Sequence, residues 1–202
     1  MTAKTRRYDR VASERKLLKA AEEVFAKEGF KGATTRAIAK KAGLNIANIA
    51  HYFGDKEGLL MRVLEEEITS TRDRELTYPA QDTLLDELLN YSTSSIDYFL
   101  QKVSLIKIIT GHFMTNASFH KKFHQTISIV VRNHELELRL ESLLKKNKVS
   151  DKLPIATVID DIDDQIIMFI LSGIILRADP EEVVRKNLDR YIRIYCDFLK
   201  VT

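Results

Sequence analysis

A side-chain carboxamide can bond the major-groove edge of adenine through both of its polar atoms, and Asn45-Ile46-Ala47-Asn48 carries two of them just ahead of His51 and Tyr52. Asn48 is the best candidate for a specific base contact. Other chemistry is weaker. His120 and His124 stand four apart, the spacing of a two-histidine metal site, but Lys121 and Lys122 lie between them and no glutamate accompanies them. A solvated face or a pocket rim explains them better. The acidic group Asp160, Asp161, Asp163 and Asp164 falls in the early turns of a helical pattern, where the helix dipole favours carboxylates without any cation. No nucleophile stands beside a base and no Gly-rich phosphate loop occurs, so no catalytic residue, metal or cofactor is assigned and an enzyme is not the expected class.

Two short helices must position the carboxamides. Thr34 is a good N-cap for a helix over 35–42, whose Ile38, Ala39 and Ala42 share one face. Gly43 supplies the positive φ of a sharp helix-ending turn. Asn45 can cap a second helix from Ile46 to about Tyr52, with Leu44, Ile49 and Phe53 turned inward and Ile46, Ala47, Asn48, His51 and Tyr52 outward. This is the pattern of a helix-turn-helix, which sets its second helix in the major groove of double-stranded DNA.

Composition agrees. The 202 residues are 45% hydrophobic and 30% charged, with 7 Gly and 3 Pro, which favours long helices in an ordinary globular chain. Residues 1–60 hold 13 Lys/Arg against 7 Asp/Glu, net +6, and residues 61–202 hold 19 against 22, net −3. The positive charge sits with the helix-turn-helix, as phosphate binding requires. The single Cys196 can form no internal disulfide and reads as packing on an apolar stripe. The basic N-terminus lacks an apolar region behind it, and Ile166–Leu176 is too short to span a bilayer, so a cytoplasmic protein without membrane contact is expected.

Along the chain, residues 1–10 read as a mobile basic arm. An amphipathic helix over 11–27 is ended by Gly29. Asp55 caps a connector helix over 55–77, stopped by Tyr78-Pro79. Long helices follow over 81–101, 103–114 and 118–147, with a polar loop over 147–153. The last two helices, over 154–177 and 180–200, begin at Pro154 and Pro180. Ile166 to Ile175 is apolar all round and must be covered on every side, either within its own domain or by a second subunit. Gly173 there permits close approach, and Val184, Leu188, Tyr191, Tyr195 and Phe198 form the stripe of the last helix. His112, Phe113 and Met114, with Tyr91, Tyr98 and Phe99, suit either a small-molecule pocket or ordinary core.

The segment Arg15 to Leu60 resembles the N-terminal domain of TetR-type bacterial transcriptional regulators. The match lies in Ala20-Ala21 and Phe25, Gly29-Phe30, Thr34-Thr35-Arg36, Ile38-Ala39, Ala42-Gly43-Leu44, Tyr52-Phe53 and Lys56-Glu57-Gly58-Leu59. The resemblance implies an all-α homodimer of about nine helices. Residues 1–54 would form a three-helix DNA-binding domain, and 55–202 a helical domain for ligand binding and dimerisation. The last two helices would pair across the dimer, giving Ile166, Ile170, Gly173, Val184, Leu188, Tyr191, Tyr195 and Phe198 as interface candidates. By position, Thr34, Thr35 and Arg36 would meet phosphates and the groove edge. Asn45, Ile46, Ala47 and Asn48 would face bases, His51 and Tyr52 would approach the backbone, and Lys56 would hold a phosphate. Ala50 departs from the pattern, which usually has Tyr there, and Ile46 replaces a residue that is polar or basic in many members.

The expected function is therefore a ligand-responsive transcriptional regulator, a repressor that binds a palindromic operator as a homodimer and is released by a small-molecule effector. The alternatives are a non-specific architectural DNA-binding protein, or an enzyme or carrier with a vestigial DNA-binding unit.

Overall fold

The structure is a computed structural model that describes residues 3–126, 133–147 and 154–201. Among the described residues there are ten helices and no strand: α1 (Ala3–Gly32), α2 (Thr35–Ala42), α3 (Ala47–Phe53), α4 (Lys56–Arg72), α5 (Leu84–Gln101), α6 (Val103–Thr115), α7 (Ala117–Thr126), α8 (His134–Asn147), α9 (Ile155–Phe169, continued as a π-helical segment Ile170–Arg177) and α10 (Glu181–Val201). They form two compact units, Met1–Thr69 with Ser104–Ile129, and Ser70–Val103 with Val130–Thr202.

The first unit is built on apolar residues that recur at helical spacing. Leu17, Ala21 and Phe25 of α1, Ile38 of α2, Ile49 of α3, Leu60 and Leu64 of α4, and Phe119 of α7 are all buried in one cluster, which Leu105 and Ile108 of α6 complete. α1 breaks at Gly29, whose φ of 69° and ψ of 171° are not helical. At its other end α1 begins at Ala3, so the expected basic arm is helical: no Gly or Pro interrupts 3–28, and nothing in that stretch stops a helix.

In the second unit α5 packs on α8, α9 and α10. Its core is Leu88 and Ile96, Leu136 and Leu140, Ile159, Ile162, Ile166 and Ile170, with Val184, Leu188, Ile192 and Cys196 from α10. α5 starts at Leu84 rather than 81 because Thr83 caps it: the Asp86 amide donates to Thr83 Oγ1 at 3.0 Å.

Two expected helices are cut short by side chains far away in sequence. α4 ends at Arg72, not Thr77. The Leu76 amide donates to Glu135 at 2.9 Å and the Gln81 amide to Glu87 at 2.8 Å, so these two amides find their partners outside a helix. The expected helix over 118–147 is two, α7 and α8, because buried Asn133 is a cap. Its Oδ1 accepts from the Leu136 amide at 3.0 Å and its Nδ2 donates to the Arg74 carbonyl at 2.7 Å. The apolar positions Ile127, Val130 and Val131 lie outside the described residues, as does most of the polar loop over 147–153.

The segment after Ile170 widens into π-helix. Gly173 has no room for a side chain, since a Cβ there would lie 2.6 Å from Val184 Cγ2. The helix closes on Ala178 at φ 54°, with the Asp179 amide donating to the Gly173 carbonyl at 2.9 Å. No helix among the described residues is long and apolar enough to cross a membrane.

Candidate nucleic-acid interface

The reading pair is fixed by its own caps. Thr34 Oγ1 accepts from the Ala37 amide at 3.1 Å, starting α2. Gly43, left-handed at φ 67°, ends it, with the Leu44 amide returning to the Ala39 carbonyl at 3.0 Å. Asn45 Oδ1 accepts from the Ala47 amide at 2.8 Å and opens α3 one residue later than the spacing suggests.

α3 buries Ile49 beneath the cluster and half-buries Phe53. Ile46, Ala47, Ala50 and His51 are exposed, and Asn48 and Tyr52 are half-buried at the margin. Ile46 is an apolar side chain 45% exposed with no core to join. Asn45 is exposed, and its amide oxygen spends one lone pair on the cap, which leaves its nitrogen free of the cap. Thr34 and Arg36 are exposed at the head of α2, and Thr35 is half-buried.

Lys56 is placed differently from a free phosphate ligand. Its ammonium donates to the carbonyls of Phe30 at 2.7 Å and Ala33 at 2.8 Å, and lies 4.5 Å from the Phe30 ring centre. A cation at the end of α1 satisfies carbonyls that have no helical partner. One N–H remains.

Several contributors escaped the sequence reading. Arg10 places its guanidinium 5.5 Å from the Tyr52 ring centre and pairs with Glu14 at 2.6 Å, which raises its pKa. Glu57 accepts from Asn116 Nδ2 at 3.1 Å and Lys122 Nζ at 2.8 Å, tying the first turn of α4 to the cap of α7. Gly58 is required by packing, because a Cβ there would stand 2.0 Å from the Phe53 carbonyl oxygen. A glycine inside the Lys56-Glu57-Gly58-Leu59 run was the available signal. The hydrogen bonds of Arg10 and Glu57 leave none.

The family described as bacterial regulatory proteins, tetR family, matches residues 17–63, the segment that holds α2, α3 and the first turns of α4. That match places a TetR-type N-terminal domain at residues 17–63. It is 27% identical over 189 residues to the HTH-type transcriptional regulator PksA of Bacillus subtilis, covering 89% of this chain and 84% of PksA. The crystal structure of a Rhodococcus sp. protein assigned to the TetR family has a TM-score of 0.71 at 16% identity, over 91% of this chain and 98% of that one. FadR of Bacillus subtilis in complex with stearoyl-CoA has a TM-score of 0.64 at 17% identity, over 88% and 96%. Residues 17–63 thus match the DNA-binding domain of TetR-type regulators, and the chain has the helical fold of these solved structures.

The pocket candidates divide between the units. Tyr91, Tyr98 and Phe99 belong to the second. The Tyr91 hydroxyl donates to Asp163 at 2.8 Å, and the Thr71 hydroxyl donates to that of Tyr98 at 3.2 Å. Arg74 lies 5.0 Å from the Tyr98 ring centre and donates to Ser95 Oγ at 2.9 Å, while its buried Nε has no partner among the described residues. Burial pushes the Asp163 carboxyl up to about 7, against the pull of Tyr91 and Arg74.

His112 and Phe113 belong to the first unit and pack as core. The His112 ring sits 4.0 Å from Phe30 and 4.5 Å from Phe119, centre to centre, and burial lowers its pKa. Met114 is 83% exposed. The side chains of His120 and His124 lie outside the described residues.

Among the interface candidates, Ile166, Ile170, Gly173, Val184 and Leu188 are buried in the second unit itself, so their cover is their own domain. Tyr191 and Tyr195 are half-buried, with the Tyr195 hydroxyl donating to Asp161 at 2.8 Å, and Phe198 is 62% exposed. Met168, Leu176, Val183 and Ile194 are further exposed apolar side chains of α9, its π-helical extension and α10.

Proposed function

We infer that this protein is a ligand-responsive repressor that binds a palindromic operator as a homodimer and is released by a small molecule. The observation that carries the reading is the exposed stripe of α3, with Asn48 at its margin, held by two side-chain caps beside the exposed Thr34 and Arg36. Asn48 contacts adenine. Thr34, Thr35 and Arg36 contact phosphates, Ile46 and Ala47 face bases, and His51 and Tyr52 approach the flanking backbone. Lys56 offers its remaining N–H to a phosphate while holding α1 to α4.

Pairing of two chains uses the exposed Met168, Leu176, Val183, Ile194 and Phe198 with Tyr191 and Tyr195. Stearoyl-CoA bound to FadR, a protein of similar fold, supports a small-molecule effector here. Tyr91, Tyr98, Phe99 and the unpartnered Nε of Arg74 are its candidate contacts in the second unit. An effector acts by changing the separation of the two α3 helices, which must match half-sites about one duplex turn apart.

Selection of bound sequences from a random duplex pool tests the reading. A palindrome is expected, with Asn48→Ala changing base preference and Arg36→Ala weakening all sequences and lowering the salt slope by about one. Enrichment of no sequence would instead point to an architectural binder, and turnover without salt-dependent duplex binding to an enzyme or carrier.

A further inference from the structure

We propose that the reading helix recognises thymine C5-methyl groups, so that the centre of each half-site consists of A·T pairs. This rests on the assignment of α3 as the helix that enters the major groove. The exposed residues Ile46, Ala47 and Ala50 lie at i, i+1 and i+4, so Ile46 and Ala50 stand one above the other with Ala47 beside them on the outward face. All three end in methyl groups. Ile46 is 45% exposed, an apolar side chain presented to solvent rather than to the buried cluster.

The polar inventory points the same way. Between Leu44 and Phe53 there is no Arg, Lys or Gln, so the paired donors that read guanine O6 and N7 are absent from the helix. Lys41, the nearest cation before it, is paired with Glu23 at 2.7 Å. Asn45 turns its oxygen toward the Ala47 amide and spends one lone pair on the cap. Asn48 keeps both polar atoms and matches adenine N6 and N7. The remaining donors, the Asn45 amide nitrogen, His51 and the Tyr52 hydroxyl, lack the paired geometry of an arginine, and His51 stands at the C-terminal end of the stripe against Tyr52, 5.1 Å between ring centres. Three methyl-bearing positions and one adenine-reading amide describe a run of A·T pairs, whose thymines carry methyls in the groove and whose adenines carry N6 and N7. The charge needed for affinity comes from the surrounding domain, net +6 over residues 1–60, and carries no sequence information.

The test uses the full chain and the duplex that it selects from a random pool. Each thymine of one half-site is replaced in turn by deoxyuridine, which pairs identically and lacks only the methyl. Affinity should fall about fourfold per contacted methyl, and Ile46→Ala should abolish the loss at one position while leaving the others. Ile46 is exposed, so that variant is expected to fold, and the deoxyuridine series on the unmodified protein stands without it. A palindrome with G·C pairs at the centre of its half-sites, or uridine replacement without effect at every position, would overturn methyl readout and leave the operator-binding reading intact. Absence of any preferred sequence would overturn both.

Discussion

Burial acts on Asp163 and His112 with opposite consequences for charge. Asp163 is raised to about 7 by desolvation, with Asp160 and Asp164 adding to the rise and Tyr91 and Arg74 opposing it. The folded state then keeps a proton that the unfolded chain gives up between about pH 4 and 7, so stability falls as pH rises through that window and the loss is complete above it. His112 is lowered by desolvation, with Lys56 and Lys31 acting in the same sense and Glu57 against it. Here the unfolded chain binds the proton first, so stability falls as pH drops through the ordinary histidine range near 6.5. The two slopes oppose each other below about pH 6.5, so denaturant midpoints across pH 4–9 should separate them only when each group is replaced in turn. Asp163→Asn keeps an oxygen for the Tyr91 hydroxyl and is expected to gain on the order of 2 kcal/mol at pH 8. His112→Gln should flatten the acidic limb. Asp163 was visible in the sequence only as one of four acidic neighbours. Its difference from the other three is its desolvation within the packed second unit, which outweighs the Tyr91 and Arg74 facing it and which no local pattern records.

The junction of α3 and α4 is the tightest point in the first unit. Gly58→Ala forces a methyl onto the Phe53 carbonyl, so α4 must move away from the reading helix. A loss of about 1–3 kcal/mol is expected by thermal or urea unfolding, with weaker duplex binding even at temperatures where the variant is folded. The segment 73–83 is held in a different manner. Glu87 is fully buried and accepts from the Tyr78 hydroxyl at 2.9 Å, the Gln81 amide at 2.8 Å and Arg139 at 3.2 Å, while Arg139 also donates to the Tyr78 carbonyl at 3.1 Å. Glu87→Ala leaves the Arg139 charge without its buried partner and should cost about 3 kcal/mol by equilibrium denaturation. These two elements also divide what could be read from what could not. Thr34, Gly43 and Asn45 act within four residues, and both ends of α2 follow from them. The end of α4 and the break between α7 and α8 depend on Glu135, Glu87 and Asn133, whose partners lie up to 59 residues away. Helical periodicity continues through such points, so sequence alone carries the helix past them.

At the scale of the whole molecule, apolarity and exposure select different residues for the proposed pairing face. Ile166, Ile170 and Leu188 satisfy the pattern of an interface and are spent on the second unit's own core. The side chains left outside it include Ile194 and Phe198, which the same stripe logic ranks no higher. Phe198→Asp is expected to shift the chain from dimer to monomer in sedimentation equilibrium while leaving helix content unchanged, and to weaken binding to a two-half-site duplex far more than to one half-site. The stripe of Ile46, Ala47 and Ala50 has a consequence of its own. A surface that reads a methyl group does not register which pyrimidine carries it, and 5-methylcytosine presents its methyl where thymine does. Enzymatic methylation of cytosines could therefore create or strengthen half-sites without any change of base sequence, making occupancy sensitive to an epigenetic mark.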